Sequence, residues 1–442
     1  MKLHTLALAS LITLAAHAEN WPQWRGPAFN GSSPEKNLPT EWSPEKGVKW
    51  SVEMPGISGA TPIIWGDRVF VMSPDAQREQ WLLCISRATG KELWKRSVAG
   101  GMVDKGRGNS TSASPVTDGK TVWALVGTGE LAAFDMEGKQ LWARDLGKDY
   151  GKFAIMWTYG SSPLLYGGKL YVQVLQRDPV PDGYPGLKKE DEGARDSYLL
   201  ALDPATGKTL WKHIRPTDAL MESRESYATP VPHIVGGKAQ ILLVGGDAIS
   251  AHDAETGEEL WRGGGMNNKK GKGGGEWMRT VPSAVSAGSL ALVCGPKQGP
   301  AIAYKSDGKG DVTETHQAWT FDERKTPDCC TPAYADGKLY ILDGDSQTMT
   351  CLDAPSGKKL WQSAFTLDKS KGKEVFRASP LLADGKLYSL GERGTVVVQN
   401  AADGAQLAVM PMGGPEGARG SIAASEGQLF IRTTDRLYCV GK

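Results

Sequence analysis

The sequence has no excess of charge of either sign and few histidines, and each shortage excludes a class of partner or site. Its 51 Lys and Arg side chains are balanced by 50 Asp and Glu side chains, so the formal net charge is +1 over 442 residues. Nucleic acid and anionic membrane surfaces need a basic excess, and neither is expected as a partner. Zinc is not indicated, because the histidines beyond residue 18 stand alone in their segments: His213, His233, His252 and His316.

Motifs of several enzyme classes are also missing. The sequence contains no C-x-x-C-H haem site, no G-x-S-x-G turn and no P-loop. Its six Cys do not suggest a disulfide framework, because Cys84, Cys351 and Cys439 occupy a strand position that holds Ala in other repeats. A free Cys at such a position acts as a small hydrophobic residue. Cys294 is interpreted as another strand residue.

Only the start of the chain carries an apolar run of note. Met1 to Ala18 has the pattern of a secretory signal peptide, with Lys2 at its start and Ala16-His17-Ala18 as a cleavage site. The apolar run is too short to span a bilayer, and we expect no transmembrane segment. No Cys lies nearby to carry a lipid anchor. These features predict a soluble, monomeric protein that is periplasmic or secreted.

Turn residues are abundant and follow a repeat. With 55 Gly and 26 Pro spread along the chain, many turns are expected. The stretch from Ala201 to Trp211, with Asp203 and Gly207 between them, indicates strand, tight turn and strand. Close variants end in Trp94, Trp142, Trp211, Trp261, Trp319 and Trp361. Seven copies open with a small residue and Pro, at Thr61, Ser114, Ser162, Thr229, Val281, Thr331 and Ser379, and an eighth opens at Ser421 without Pro.

The eighth copy stops before its fourth strand. It ends at Leu437 to Val440, and the strand around Trp50 at the other end of the chain can complete it. Four-stranded units at this period predict an all-β, eight-bladed β-propeller closed by the N-terminal strand. The predicted division is a signal peptide at 1–18, a segment packing on the propeller at 19–46, and the propeller at 47–442.

The pattern Ala-x-Asp-x-x-x-Gly-Lys-x-x-Trp resembles the tryptophan-docking repeat of the PQQ-binding-like β-propeller superfamily. This superfamily includes quinoprotein alcohol dehydrogenases and outer-membrane assembly lipoproteins of the BamB type. The resemblance covers Trp50 to Val440, and Trp21-Pro-Gln-Trp24-Arg25-Gly26-Pro27 is similar to the start of exported bacterial members without an assigned activity. The motif is specific for the fold and not for the function, because the tryptophans serve blade packing.

Loops that enter the innermost strands of a propeller converge on its central channel. Here they are rich in Arg and aromatic residues, which suit an anionic or planar ligand. The predicted funnel residues are Arg107, Asn109, Trp157, Tyr159, Arg224, Glu225, Tyr227, Trp277, Arg279, Asp328, Cys329, Cys330, Arg377 and Arg419. The alternative is that these arginines bond neighbouring loop carbonyls and carboxylates, with Glu225 as the internal partner of Arg224.

The pair Cys329-Cys330 can form a strained vicinal disulfide. Quinoprotein methanol dehydrogenases carry such a disulfide against their quinone, so the resemblance implies PQQ with calcium as a cofactor. Asn109, Glu225 and Asp328 are the candidate oxygen ligands of calcium, although no spacing marks them as a set.

Three functions stay open at this point. The first is a non-enzymatic module that binds a small ligand or a protein partner at its funnel face. The second is a PQQ-dependent oxidoreductase of alcohols or sugars. The third is a BamB-like outer-membrane assembly factor, against which the missing anchor Cys counts.

Overall fold

The computed structural model describes residues 20–43, 45–191, 195–267, 278–368, 370, 372–412 and 418–441. The predicted signal peptide and Trp277 therefore lie outside the described residues. Within the described ranges, no helix has the length and apolar character needed to cross a membrane.

Eight four-stranded antiparallel meanders follow one another along the chain, which confirms the predicted eight-bladed propeller. The strands of blades 1 to 4, from innermost to outermost, are Ile63–Trp65, Arg68–Pro74, Gln80–Ser86 and Glu92–Ala99; Val116–Thr117, Thr121–Leu125, Glu130–Asp135 and Gln140–Asp145; Leu164–Tyr166, Lys169–Val174, Tyr198–Leu202 and Thr209–Ile214; Val231–Val235, Lys238–Gly245, Ala248–Asp253 and Glu259–Gly263.

Blades 5 to 8 follow the same order. Their strands are Val285–Ala287, Leu290–Cys294, Ala301–Lys305 and Gln317–Phe321; Ala333–Ala335, Lys338–Asp343, Thr348–Asp353 and Lys359–Ala364; Leu381–Ala383, Lys386–Leu390, Thr395–Asn400 and Gln406–Pro411; Ala423–Ser425, Gln428–Arg432, Arg436–Val440 and Val48–Glu53. Because every blade is an up-and-down meander, all eight innermost strands run in the same direction along the channel.

A few short elements lie outside the blade pattern. They are the strands Ser32–Ser33, Asp104–Lys105, Gly108–Asn109 and Gly310–Asp311, the helix Leu146–Tyr150, and the 3₁₀ turns Lys189–Asp191 and Met221–Arg224. Ser32–Ser33 pairs in parallel with the innermost strand of blade 7. Gly310–Asp311 pairs in parallel with the outermost strand of blade 4.

At six of the eight junctions between blades, the described residues show the Trp of one blade packed over the turn glycine of the next. Within blade 3 the small residue Ala201 faces Trp211 across the sheet. The Trp142 ring of blade 2 packs over the turn glycine of blade 3, Gly207, whose φ is +70°. A methyl group at Gly207 would lie 2.7 Å from that ring. The turn therefore needs Gly both for its left-handed backbone and for the space that the Trp occupies.

The same contact closes the circle between blades 8 and 1. Trp50 faces Cys439 in the shared blade. Its ring packs over Gly90 of blade 1, and its Nε1 donates to the carbonyl of Arg87 at 2.7 Å. The strand around Trp50 thus completes the eighth blade, as its sequence predicts.

A closed circle of hydrogen bonds, here called the hydroxyl ring, lies at the start of the innermost strands. Each member donates its backbone N–H to the hydroxyl of the member in the next blade, at 2.9–3.1 Å, and the last bond joins blade 8 back to blade 1. Its members are Thr61, Ser114, Ser162, Thr229, Ser283, Thr331, Ser379 and Ser421.

The hydroxyl ring explains most of the predicted openings and corrects one. In blade 5 the equivalent residue is Ser283, so the opening assigned to Val281 and Pro282 was wrong by two residues. A side-chain oxygen is what the position requires, because it is the acceptor for a buried N–H. Pro after it is a frequent companion and not the determinant, as Ser421 shows by preceding Ile422.

Candidate functional site

A pocket of about 560 Å³ opens at the channel end where the loops enter the innermost strands. We call it the funnel pocket. Eight of the fourteen predicted funnel residues line it: Arg107, Trp157, Tyr227, Arg279, Asp328, Cys329, Arg377 and Arg419. These residues are far apart in the sequence, and the circular arrangement of the blades brings them together.

Two predicted residues have structural roles beside the pocket. Asn109 is buried, donates its amide to the carbonyl of Ile57 at 2.7 Å, and accepts the N–H of Thr111 at 2.9 Å. Tyr159 is buried and donates its hydroxyl to the carbonyl of Gln173 at 2.7 Å. Their polar groups are engaged in holding loops, so they do not face a ligand.

Arg224 and Glu225 are not partners of each other, which corrects the sequence interpretation. Arg224 forms its ion pair with Asp178 at 3.4 Å. Glu225 is fully buried and accepts hydrogen bonds from the Met156 N–H, at 2.8 Å, and from the Tyr184 hydroxyl. Adjacent residues point to different sides of the chain, and burial of the Glu225 carboxyl raises its pKa to about 7.

Two of the pocket arginines are held by carboxylates in bidentate pairs. Arg279 donates to both oxygens of Asp328 at 2.9 and 3.3 Å. Arg377 donates to both oxygens of Asp345 at 2.8 Å each. Paired in this way, the two guanidinium groups shape the wall of the pocket and have their best donor geometry already used.

The other two arginines share one carboxylate. Arg107 donates to Glu392 at 2.6 Å. Arg419 approaches Glu392 only at 3.9 Å, and its buried Nε has no hydrogen-bond partner in the described part of the chain. Arg419 is therefore the pocket arginine whose donors are least engaged, and burial lowers its pKa.

Glu392 and Asp345 were missed by the sequence interpretation. Both lie in turns between the second and third strands of their blades, and the prediction considered only the loops that enter the innermost strands. In an up-and-down blade, the loop that enters the innermost strand and the turn between the second and third strands lie on the same face of the propeller. The signal for both carboxylates is therefore the presence of Asp or Glu in the turn between the second and third strands of a blade.

An indole ring stands at the mouth of the pocket. Trp157 is 43% exposed, and its Nε1 donates to Glu222 at 2.8 Å. Its ring lies against Gly106, where a methyl group would be 2.9 Å from it. The indole is thus held by its Nε1 hydrogen bond and by Gly106, and the part that stays exposed is available for stacking.

The two adjacent cysteines point to different surroundings. Cys329 lines the pocket, whereas Cys330 is 1% exposed and contacts the carbonyl of Phe376 at 3.4 Å through its sulfur. Both are free thiols. Burial raises the pKa of Cys329 to about 12, so at neutral pH the thiol is protonated.

Comparison with known proteins places the repeats in a family. The model of the family described as outer membrane protein assembly factor BamB matches residues 39–183, 195–265 and 309–409. The chain belongs to this family. It is 22% identical to BamB of Burkholderia pseudomallei (strain K96243) over 395 residues, which cover 84% of this chain and 85% of that protein.

Dehydrogenases are similar to this BamB-family chain as well. A polyvinylalcohol dehydrogenase of Sphingopyxis sp. (strain 113P3) is 24% identical over 413 residues, which cover 84% of this chain and 54% of the dehydrogenase. The chain thus spans about half the length of that relative.

Two solved structures share the fold. The crystal structure of BamB from Moraxella catarrhalis has a TM-score of 0.62 at 14% identity and covers 89% of this chain and 99% of that one. A europium-containing methanol dehydrogenase has a TM-score of 0.66 at 10% identity and covers 96% of this chain and 98% of that one. At these identities the likeness shows the fold alone.

The candidate calcium ligands do not form a set in this member of the BamB family. Of Asn109, Glu225 and Asp328, only Asp328 lines the pocket. Its two oxygens accept from Arg279, and the side-chain oxygens of Asn109 and Glu225 accept backbone N–H groups. A calcium site needs several oxygens that converge on one point, and these residues do not fit it.

Two histidines that stand alone in the sequence meet between blades 3 and 4. The rings of His213 and His252 are 5.3 Å apart, and Glu259 lies 4.0 Å from His252. Both oxygens of Glu259 accept from Arg262, at 2.5 and 2.7 Å, and His252 bonds the carbonyl of Gly257 at 3.0 Å. These bonds lie within blade 4 and already occupy the Glu259 carboxylate and the Nδ1 of His252.

Proposed function

We propose that this chain is a binding protein whose funnel pocket takes a small anionic ligand with a planar part. The observation that carries the proposal is Arg419, a partly buried guanidinium whose ion pair with Glu392 is long, at 3.9 Å, and whose Nε lacks a hydrogen bond among the described residues, whereas the other pocket arginines have closer carboxylates. An anionic oxygen is the natural partner for such a donor, because a buried cation is costly until it is paired.

Trp157 supports the planar part of the ligand. Its partly exposed indole, which lines the pocket, can stack on a flat ring. A volume of about 560 Å³ is that of a typical small-molecule site. We further propose that the protein is exported and monomeric, with the same face available to a protein partner.

Binding of PQQ, a flat quinone with three carboxylates, tests this proposal in calcium-free buffer by isothermal titration calorimetry. We expect Arg419→Ala to weaken binding about ten-fold or more, since hydrogen bonds to charged groups contribute about 1.5–3 kcal/mol. Arg436→Ala is the matched control, because that arginine pairs with Glu53 on the outside of blade 8. Equal affinity in wild type and Arg419→Ala, or no binding of PQQ or of simpler aromatic carboxylates, would reject the proposal.

A second candidate is a PQQ-dependent oxidoreductase of alcohols or sugars. It is favoured by the similarity to a protein named polyvinylalcohol dehydrogenase. Reconstitution with PQQ and calcium should then produce quinone absorbance and reduction of an artificial electron acceptor by an alcohol. Binding of PQQ without any such turnover supports the first candidate over the second.

A third candidate is a role in outer-membrane assembly, supported by the family match and the similarity to BamB. The expected partner is then a protein that contacts the loops around the funnel pocket. A pull-down with periplasmic and outer-membrane extracts, compared between wild type and Trp157→Ala, tests this candidate; loss of a specific partner in the variant supports it.

A further inference from the structure

The residues Trp21–Ser33, here called the crossing segment, run across the propeller from one side to the other. In a ring of eight blades, blades 2 and 6 lie opposite each other. Thr117 of blade 2 donates its N–H to the carbonyl of Pro22 at 3.0 Å, and Tyr334 of blade 6 donates to the carbonyl of Asn30 at 3.1 Å. A segment bonded to both blades has to pass the central axis.

A second pair of opposite blades repeats this arrangement. Phe29 packs edge-on against Tyr166 of blade 3, with ring centroids 5.9 Å apart. Leu382 of blade 7 donates its N–H to the carbonyl of Gly31 at 2.9 Å. Opposite blades therefore hold the segment along two directions.

Two buried residues hold the segment in place. Trp21 is 1% exposed, and its backbone exchanges two hydrogen bonds with Ile64 of blade 1, at 2.9 and 2.8 Å. Arg25 is 4% exposed and donates to the carbonyls of Pro332, at 2.7 Å, and Pro380, at 3.3 Å. Blades 6 and 7 are thus joined to the segment through a buried guanidinium.

The crossing segment and the funnel pocket lie on opposite sides of the hydroxyl ring. Blade 6 shows the order along the chain that enters its innermost strand: Cys329 lines the pocket, Thr331 belongs to the hydroxyl ring, and Pro332 and Tyr334 bind the crossing segment.

We propose that the crossing segment is a plug that closes the channel end opposite the funnel pocket, so that the pocket has a single mouth on the side of Arg107 and Trp157. A channel closed at one end prevents a long polymer from passing through the ring. Small molecules, or the end of a polymer, can still enter the funnel pocket. This limit on ligand size rests on the proposed binding function, whereas the closure itself does not depend on any ligand.

Two full-length variants displace the plug without changing the blades. Gly31 has φ +75°, and a methyl group there would collide with the guanidinium of Arg25. Gly31→Ala should therefore push the segment away from the inner strands, and Arg25→Ala should release it from blades 6 and 7. Gly237→Ala is the matched control, because Gly237 has φ +78° in a hairpin turn and nothing within 4 Å.

Hydrogen exchange reports the contacts of the plug. The N–H groups of Thr117, Tyr334 and Leu382 donate to the segment and should exchange slowly in wild type. We expect at least ten-fold faster exchange in Gly31→Ala and Arg25→Ala, and no change in Gly237→Ala. Exchange that is equally fast in wild type and both variants would overturn the proposal.

The thiol of Cys330 reports whether the channel opens. Cys330 is buried and lies close enough to Arg25 for a thiolate there to interact with the guanidinium. Alkylation by iodoacetamide, mapped by mass spectrometry, should be slow in wild type and at least several-fold faster in the two plug variants, with Cys329 unchanged. Rapid exchange of the three amides without faster Cys330 alkylation would show that the segment packs on the propeller and does not close it. None of these measurements needs the ligand of the funnel pocket, so their failure is distinct from failure of the proposed function.

Discussion

The hydroxyl ring makes a quantitative prediction at the seam between the first and last blades. Thr61 is fully buried, and its Oγ1 accepts the N–H of Ser421 at 2.9 Å, the bond that joins blade 8 to blade 1. Thr61→Val keeps the shape of the side chain and removes only the hydroxyl. The lost packing is therefore small, and the cost is that of leaving the Ser421 N–H without an acceptor.

A buried donor without a partner costs about 1–3 kcal/mol. We expect Thr61→Val to lower the free energy of unfolding by that amount in urea unfolding followed by tryptophan fluorescence. Thr61→Ser retains the oxygen and should lose less. Thr331→Val, which leaves the N–H of Ser283 without an acceptor inside the ring, is the matched variant away from the seam.

The outcome decides whether the hydroxyl ring stabilises the fold. If Thr61→Val unfolds at the wild-type urea concentration with an unchanged slope, the N–H finds another acceptor and the argument fails. If Thr61→Ser costs as much as Thr61→Val, loss of the methyl group disturbs the site as much as loss of the hydroxyl, and the cost cannot be assigned to the Ser421 N–H alone. A cost shared by Thr61→Val and Thr331→Val would show that the seam is bonded like any other pair of blades.

Two further predictions concern the blades and the buried carboxyl. Gly207→Ala should unfold more easily than Gly167→Ala, because both glycines have positive φ but only the first would meet a ring, that of Trp142 at 2.7 Å; equal thermal melting temperatures would contradict this. Glu225 has a pKa raised by burial from 4.5 to about 7, so the native state keeps its proton where the unfolded chain has lost it. The free energy of unfolding should therefore fall as pH rises from about 4.5 to about 7, and Glu225→Gln should reduce that slope in urea unfolding measured across this range; an unchanged slope would disprove the assignment.

The local repeat accounts for what could be predicted about the fold. The offsets from Ala201 to Gly207 and Trp211 define a strand, a turn and a docking ring, and all three positions belong to one short stretch of a single repeat. The eight copies of the repeat predict eight blades. Because the last copy lacks its fourth strand, the strand around Trp50 is predicted to complete the eighth blade. The exception is the opening of blade 5, which the Val281-Pro282 pattern predicts two residues too early, because the hydroxyl of Ser283 and not a proline accepts the hydrogen bond.

The ion pairs of the funnel arginines could not be predicted from the local sequence. Arg279, Arg377 and Arg419 reach the pocket because they lie in loops that enter the innermost strands. Nothing in the sequence shows that Arg279 and Arg377 form close pairs with carboxylates whereas the Nε of Arg419 lacks a hydrogen bond in the described part of the chain. The distinction depends on Asp345 and Glu392, which reach the same face from other connections of their blades. The pairing is a property of the assembled face.

By itself the sequence determined the number of blades, their strand order and the shared eighth blade, because these follow from short-range packing repeated at a regular spacing. Only the tertiary structure decided which charges meet in the funnel pocket and that Trp21–Ser33 crosses the axis. Those contacts join residues such as Arg25 and Pro380, which are hundreds of positions apart and come together only after the ring has closed.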